Sequence, residues 1–347
     1  MRADERDTPF ARMAYTPGSR EFIDYYTRHP EFEAFDAHLR ELPQLGSPDS
    51  PTFNPFISPI ADGVFTLLSA LHPLTDTPPC AVRREGTADD FTRWAKGLAR
   101  EAGAGAVRTF KIQEEHYYSH RGRHAKDYGV PVNDLLPYAL IFSIPMNPEL
   151  IHKGPRAPEM IATVLGYLEG AKIGLALAYA IREMGYRCRV HMDGNYLMPL
   201  RKLARDSGLG VIGRNGLVIT KEHGPCVRLG AIDTDMPFIP DISDPQEGDV
   251  HAFCRLCGRC SRICQAIPKG VWQGELPDAN ICYETWRKLG TDCGVCIGEC
   301  PFTDGAIEWE RLKTDEGREA VADEISVRYP ARRQDRKPLD WCPLNLG

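Results

Sequence analysis

Residues 254–264 read CRLCGRCSRIC, with cysteines at 254, 257, 260 and 264. A second group, Cys282, Cys293, Cys296 and Cys300, is followed directly by Pro301. Zinc sites built from four cysteines also use pairs two residues apart, but they separate the pairs with a longer spacer. Here three thiols follow at consecutive three-residue steps, the run that wraps a cube of iron and sulfide. Two [4Fe-4S] clusters are therefore expected between residues 246 and 310, and with them one-electron chemistry.

In the bacterial two-cluster pattern the fourth cysteine of each run crosses to the other cluster. That rule assigns Cys254, Cys257, Cys260 and Cys300 to one cluster and Cys264, Cys282, Cys293 and Cys296 to the other. Two details depart from the symmetric pattern: the ten residues between Cys282 and Cys293, and Gln265 where proline is usual. Of the twelve cysteines, only Cys80, Cys188, Cys226 and Cys342 lie outside this segment. Such clustering speaks for cofactor ligation and against a disulfide framework.

Moving outward, the 347 residues allow a large unit beside the cysteine module. Their net charge of −6 comes with no basic stripe, so no nucleic-acid partner is expected. The N-terminus shows neither a signal-peptide core nor a twin-arginine pair, and the apolar run from Val164 to Ile181 is broken by Glu169 and Lys172. A cytoplasmic protein without a membrane span is the expectation.

Residues 1–80 read as an N-terminal extension or cap, 81–245 as the main body, 246–310 as the cluster module and 311–347 as a tail. Within the body, ADDFTRWAKGLAREAGA from Ala88 has helical spacing and a stop at Gly103. AVRTFKI, YALIFSIPM, YRCRV and VRLGAIDTD read as strands, and a long helix begins near Pro158. In that helix Gly166, Gly170, Gly174 and Ala178 recur every four residues, a smooth face for close packing or for a flat cofactor. Gly208, Gly210, Gly213 and Gly216 match neither a dinucleotide fingerprint nor a phosphate loop.

Three stretches in order, GYLEGAKIGLALAYAIREMGY, SGLGVIGRNGLVITKEHGPCVRLGAIDTDMPF and CYETWRKLGTDCGVCIGECPF, make the chain resemble the corrinoid-dependent reductive dehalogenases. These are similar in core to the epoxyqueuosine reductases. The resemblance implies an α+β fold: a nitroreductase-like corrinoid-binding core joined to a ferredoxin-like domain with two [4Fe-4S] clusters. It implies base-off cobalamin, with Gly166, Gly170, Gly208, Gly210, Gly213, Asn215, Gly216 and His223 as candidate contacts.

By the same resemblance, Tyr167 matches the tyrosine taken as proton donor and Arg228 the arginine beside it. The third polar position falls on Asn195 counted back from Gly208, or on Asp193 counted forward from Tyr167. An aspartate there resembles the acid of the epoxyqueuosine reductases. The implied substrate is a small organohalide, expected to be aromatic. Neither an export signal nor a fused reductase domain is seen, so a separate soluble donor, ferredoxin or flavodoxin, is expected. Two other readings stand beside this one: a corrinoid-dependent reductase of the epoxyqueuosine type, and a non-catalytic electron carrier or cobalamin-handling protein.

Overall fold

A computed structural model describes residues 2–242, 246–305 and 307–329, together with Leu339 and Cys342. Part of the expected linker, residues 243–245, lies outside the described residues. At the N-terminus, α1 (Pro9–Ala14), α2 (Arg20–Arg28) and α3 (Glu33–Glu41) precede α4 (Ser58–Leu71) and α5 (Ala88–Glu101). Thr87 caps α5 by accepting from the Asp90 amide, and the chain turns off beyond it at Gly103, whose φ is +108°.

The centre is a four-stranded antiparallel sheet in the order β1–β2–β6–β3, formed by β1 (Val107–Lys111), β2 (Tyr138–Pro145), β3 (Cys188–His191) and β6 (Val227–Thr234). Between β3 and β6 lies a small hairpin of β4 (Val211–Ile212) and β5 (Val218–Ile219). Strand β2 is apolar on both faces. Leu140, Phe142 and Ile144 meet Ala171, Leu177 and Ile181 of a long helix, while Ala139 and Ile141 meet Leu203 and Ala204 on the opposite side.

That long helix is α7 (Ala157–Glu183), which follows a single turn, α6 (Pro148–Ile151). By length and composition α7 could cross a membrane, yet most of its apolar stretch is buried inside the protein. Its glycines explain how closely it lies on the sheet. A Cβ on Gly170 would stand 3.3 Å from Ile144 Cδ1, and one on Gly174 only 2.6 Å from Val190 Cγ1. The smooth stripe faces strands and not a cofactor.

On the far face sits α8 (Leu200–Asp206). The cysteine module comprises α9 (Glu247–Cys257), α10 (Arg259–Ile263), α11 (Ala279–Leu289) and α12 (Val295–Gly298). It is backed by α13 (Asp315–Arg328), whose Val321 and Ile325 pack with Phe253 and Trp309. The N-terminal helices are fastened to this module. Fully buried Arg12 and Asp36 form an ion pair at 2.8 Å, Arg12 also reaches Asn280 at 2.6 Å, and Arg287 donates to the carbonyls of Leu42 and Pro43.

Candidate functional site

The N-terminal segment, α7, β6 and α11 enclose a cavity of about 550 Å³. Aromatic rings dominate its wall, among them Phe10, Phe65, Tyr118, Tyr167, Tyr196, Tyr283 and Trp286. Charged groups interrupt them, Glu5, Asp62, Arg123, Asp193, Arg228 and Asp292, together with His72 and His124. A large apolar chamber with convergent polar groups has the character of a cofactor or substrate site.

Helical periodicity places the polar wall. Glu159, Thr163 and Tyr167 are four residues apart on α7 and so share one face, while the glycines share another. Thr163 Oγ1 donates to Asp292 Oδ2 at 2.6 Å and accepts a short hydrogen bond from Arg228 Nη2. The Arg228 guanidinium lies 4.9 Å from the centroid of the Tyr167 ring. Arg228 Nε, buried, has no hydrogen-bond partner among the described residues. Such an atom inside a native fold calls for an explanation, and a ligand is one.

Burial raises the Tyr167 phenol above its ordinary value, and Arg228 opposes part of that rise. The proton therefore stays on the hydroxyl at neutral pH. Glu159 is pushed well above the carboxylate range, first by complete burial and then by the charge of Asp292.

The two candidates for the third polar position, Asp193 and Asn195, lie in the turn after β3 and line different chambers. Asp193 lines the large cavity, and Asn195 does not. Asn195 is held in a neighbouring polar chamber, where Arg121 donates to it at 3.2 Å and it donates to Thr75 at 2.7 Å. His72 Nε2 donates to the Asp193 carbonyl at 2.7 Å and His124 Nε2 to that of Gly194 at 2.6 Å, so two histidines clamp the turn. Gly194 takes a φ of +76°, which aims the two side chains into different chambers. Arg123, 3.6 Å from Asp193, adds a cation that sequence reasoning missed.

The expected corrinoid contacts lie elsewhere. Gly166 faces the sheet, where an added Cβ would meet Arg228 Cγ at 2.8 Å, and Gly170 faces Ile144. Gly208 and Gly210 line a small cleft beside Arg108 and Trp309. Gly213 and Gly216 shape the hairpin, with a Cβ on Gly213 meeting Ile219 and one on Gly216 meeting Pro277. Asn215 borders the cysteine hollow, and His223 sits in the Thr220–Gly224 turn with Nδ1 buried and unpartnered. The glycine-rich passage thus seats the cysteine module on the core.

In that module, Cys254, Cys257, Cys260 and Cys300 border one small hollow. The thiol charges felt by Cys300 are those of Cys254, Cys260 and Cys257. Cys282 feels Cys264 and Cys293, and Cys296 feels Cys264, Cys293 and Cys282 before Cys260. The neighbours sort into the two crossed sets. Gly258 and Gly294, each directly after a cysteine and with φ of +53° and +57°, turn the chain back so that both loops present their thiols inward.

No three His, Cys, Asp or Glu among the described residues stand close enough to hold a single metal ion. Burial pushes Cys254 and Cys282 up to about 12 and Cys260 to about 11, a cost that bound iron relieves. The second set adjoins the large cavity, since Asp292 in its wall precedes Cys293 and wall residue Tyr283 follows Cys282.

The class of protein that this sequence and fold resemble is the reductive dehalogenases. In particular, the chain is 29% identical over 263 residues to tetrachloroethene reductive dehalogenase of Sulfurospirillum multivorans, covering 63% of this chain and 51% of that enzyme. It is also 31% identical over 119 residues to epoxyqueuosine reductase of Listeria monocytogenes, covering 30% of this chain and 29% of that one. A solved reductive dehalogenase, whose structure is described as suggesting a mechanism for B12-dependent dehalogenation, superposes with a TM-score of 0.67 at 21% identity, over 95% of this chain and 44% of its own. At that identity the likeness is one of fold. No family model matches the chain. The chain spans about half the length of the first of these curated relatives. These dehalogenase relatives are oxidoreductases.

Proposed function

We propose that the chain is a corrinoid- and iron–sulfur-dependent reductive dehalogenase that replaces the halogen of a small organohalide with hydrogen. The observation that carries this reading is the juxtaposition of Tyr167, Arg228 and Asp193 on one wall of a large aromatic cavity that adjoins a four-cysteine set. The aromatic lining supports an aromatic substrate. We read the body as nitroreductase-like and the cysteine module as ferredoxin-like, with two [4Fe-4S] clusters on the crossed cysteine sets.

The cavity wall fits a macrocycle by its rings and the unpartnered Arg228 Nε. When bound there, cobalamin supplies the strongly reducing nucleophile that carbon–halogen cleavage needs. Overall, one carbon–halogen bond breaks and one carbon–hydrogen bond forms, consuming two electrons and one proton and releasing halide. The protein's part is orientation, exclusion of water and the proton. Tyr167, kept protonated by burial, donates it from the cavity face, and Arg228 stabilises the phenolate left behind. Thr163 and Asp292 hold Arg228 in place.

Anaerobic reconstitution should yield about eight irons and one corrinoid per chain, with halide released from haloaromatic substrates. Tyr167→Phe should lower halide release by about 10²-fold or more, the scale of a lost general acid, with both cofactors retained. Full turnover in that variant would remove Tyr167 as donor. Asp193 in the cavity favours a second reading, reduction of an epoxide with the carboxyl as acid. Under that reading Asp193→Asn abolishes epoxide reduction and no halide is released from any haloaromatic.

A further inference from the structure

The electrons must enter somewhere, and the outer side of the cysteine module differs from the rest of the chain. Over residues 254–276 there are four cations, Arg255, Arg259, Arg262 and Lys269, against one acid, Glu275, in a protein whose net charge is −6. Arg259 is paired with buried Glu299. Arg255, Arg262 and Lys269 are exposed.

These groups converge around the thiols. Arg262 Nη1 donates to the Cys257 carbonyl at 3.0 Å, and Lys269 Nζ donates to that of Cys264 at 2.8 Å. Arg255 lies between Cys254 and Cys257 on the last turn of α9, and those two cysteines are only partly buried. Apolar side chains stand out among the charges: Val271 is 80% exposed, Leu256 50% and Leu276 46%. The acids nearest to Leu276 in sequence are Glu275 and Asp278, and Glu299 is the acid paired with Arg259.

We propose that this basic, apolar-studded surface docks a small acidic one-electron carrier protein and admits its electron to the Cys254–Cys257–Cys260–Cys300 cluster. The inference rests on the iron–sulfur reading of those cysteines. Charge complementarity selects the partner, since a cationic patch attracts an acidic surface. The exposed leucines and valine supply the short-range contact that a transient redox complex needs, while the charges set the encounter rate. In the step itself the carrier is oxidised by one electron and the cluster reduced by one; no bond is made or broken. The electron then has the second set as its path inward, because that set adjoins the cavity.

Stopped-flow reduction of the reconstituted full chain tests this, with a pre-reduced acidic plant-type ferredoxin as one probe and titanium(III) citrate as the other. Bleaching of the cluster absorbance is followed, so neither corrinoid nor organohalide is required. Ferredoxin-driven reduction should slow about tenfold between about 50 and about 300 mM salt. Arg255→Glu and Val271→Glu, at positions that make no side-chain hydrogen bond or ion pair among the described residues, should each slow it several-fold, with titanium-driven rates unchanged. Ferredoxin rates that ignore both salt and Arg255→Glu would overturn the docking surface. The salt series on the unaltered chain decides the matter even where a variant assembles clusters poorly. Absence of any iron–sulfur absorbance after reconstitution would instead refute the cluster reading.

Discussion

Strand β6 carries a buried charge near each end, and the two are treated in opposite ways. Asp233, near its C-terminal end, is fully enclosed and fully engaged. Arg189, its direct cross-strand partner, donates to both carboxylate oxygens, Tyr117 donates at 2.6 Å, and His191 Nε2 stands 3.4 Å away. Arg228, at the N-terminal end, has a short bond to Thr163, a longer contact of 3.4 Å to Asp292, and Nε with no partner. One charge is committed to holding β2, β3 and β6 together. The other is held loosely enough to serve something that enters the cavity.

The difference can be broken by exchanging effects. Arg228→Ala should lower halide release by about 10²-fold, as loss of one charge-stabilising donor does, and leave the thermal midpoint nearly unchanged. Asp233→Asn should do the reverse. It strands the Arg189 charge in the core at a cost of about 3–5 kcal/mol, visible as a lowered midpoint, while turnover per folded molecule persists. If Asp233→Asn stopped turnover without destabilising the fold, the division between the two ends of β6 would be wrong.

Acid titration sharpens the same contrast. Although burial alone would raise the Asp233 carboxyl, His191 and Arg189 draw it well below the usual carboxylate value. A depressed folded-state pKa means stability that is present above the unfolded value, about 3.9, and is lost as pH falls toward the folded one. Between about pH 5 and pH 3 the thermal midpoint of the unaltered chain should therefore fall more steeply than that of Asp233→Asn. Parallel slopes would show that other carboxylates govern acid unfolding.

Much of this was legible in the sequence, because local rules decide it. The strands and α7 announce themselves through apolar runs and the proline near the helix start, and the cysteine loops through Cys-Gly steps at 257–258 and 293–294. What the sequence hid were choices between faces. The glycine stripe of α7 could have faced a cofactor, but Val190 and Ile144 fill the space against it. Asp193 and Asn195 are two residues apart, and only the turn at Gly194 decides which enters the cavity. Arg123 and Phe10 come to the site from loops and an N-terminal helix with no periodic signal. Glu159 and Thr163 did have one, the four-residue spacing up to Tyr167, and Asp292 stood directly before Cys293.

The smallest expected effect separates packing from function within α7 itself. Alanine is favoured over glycine in a helix by about 1 kcal/mol, so either glycine replaced on an open face would stabilise. At Gly174 the new methyl meets the stiff, β-branched Val190 at 2.6 Å and has nowhere to go. Gly174→Ala should therefore lower stability by about 1–3 kcal/mol. At Gly166 the methyl meets Arg228 Cγ at 2.8 Å, part of a long side chain that can swing aside. Gly166→Ala should leave the melting temperature within a few degrees but reduce halide release several-fold, because the guanidinium leaves its place over Tyr167. Equal stability losses at the two positions would mean that Arg228 is held as rigidly as Val190, and the looseness ascribed to that end of β6 would have no basis.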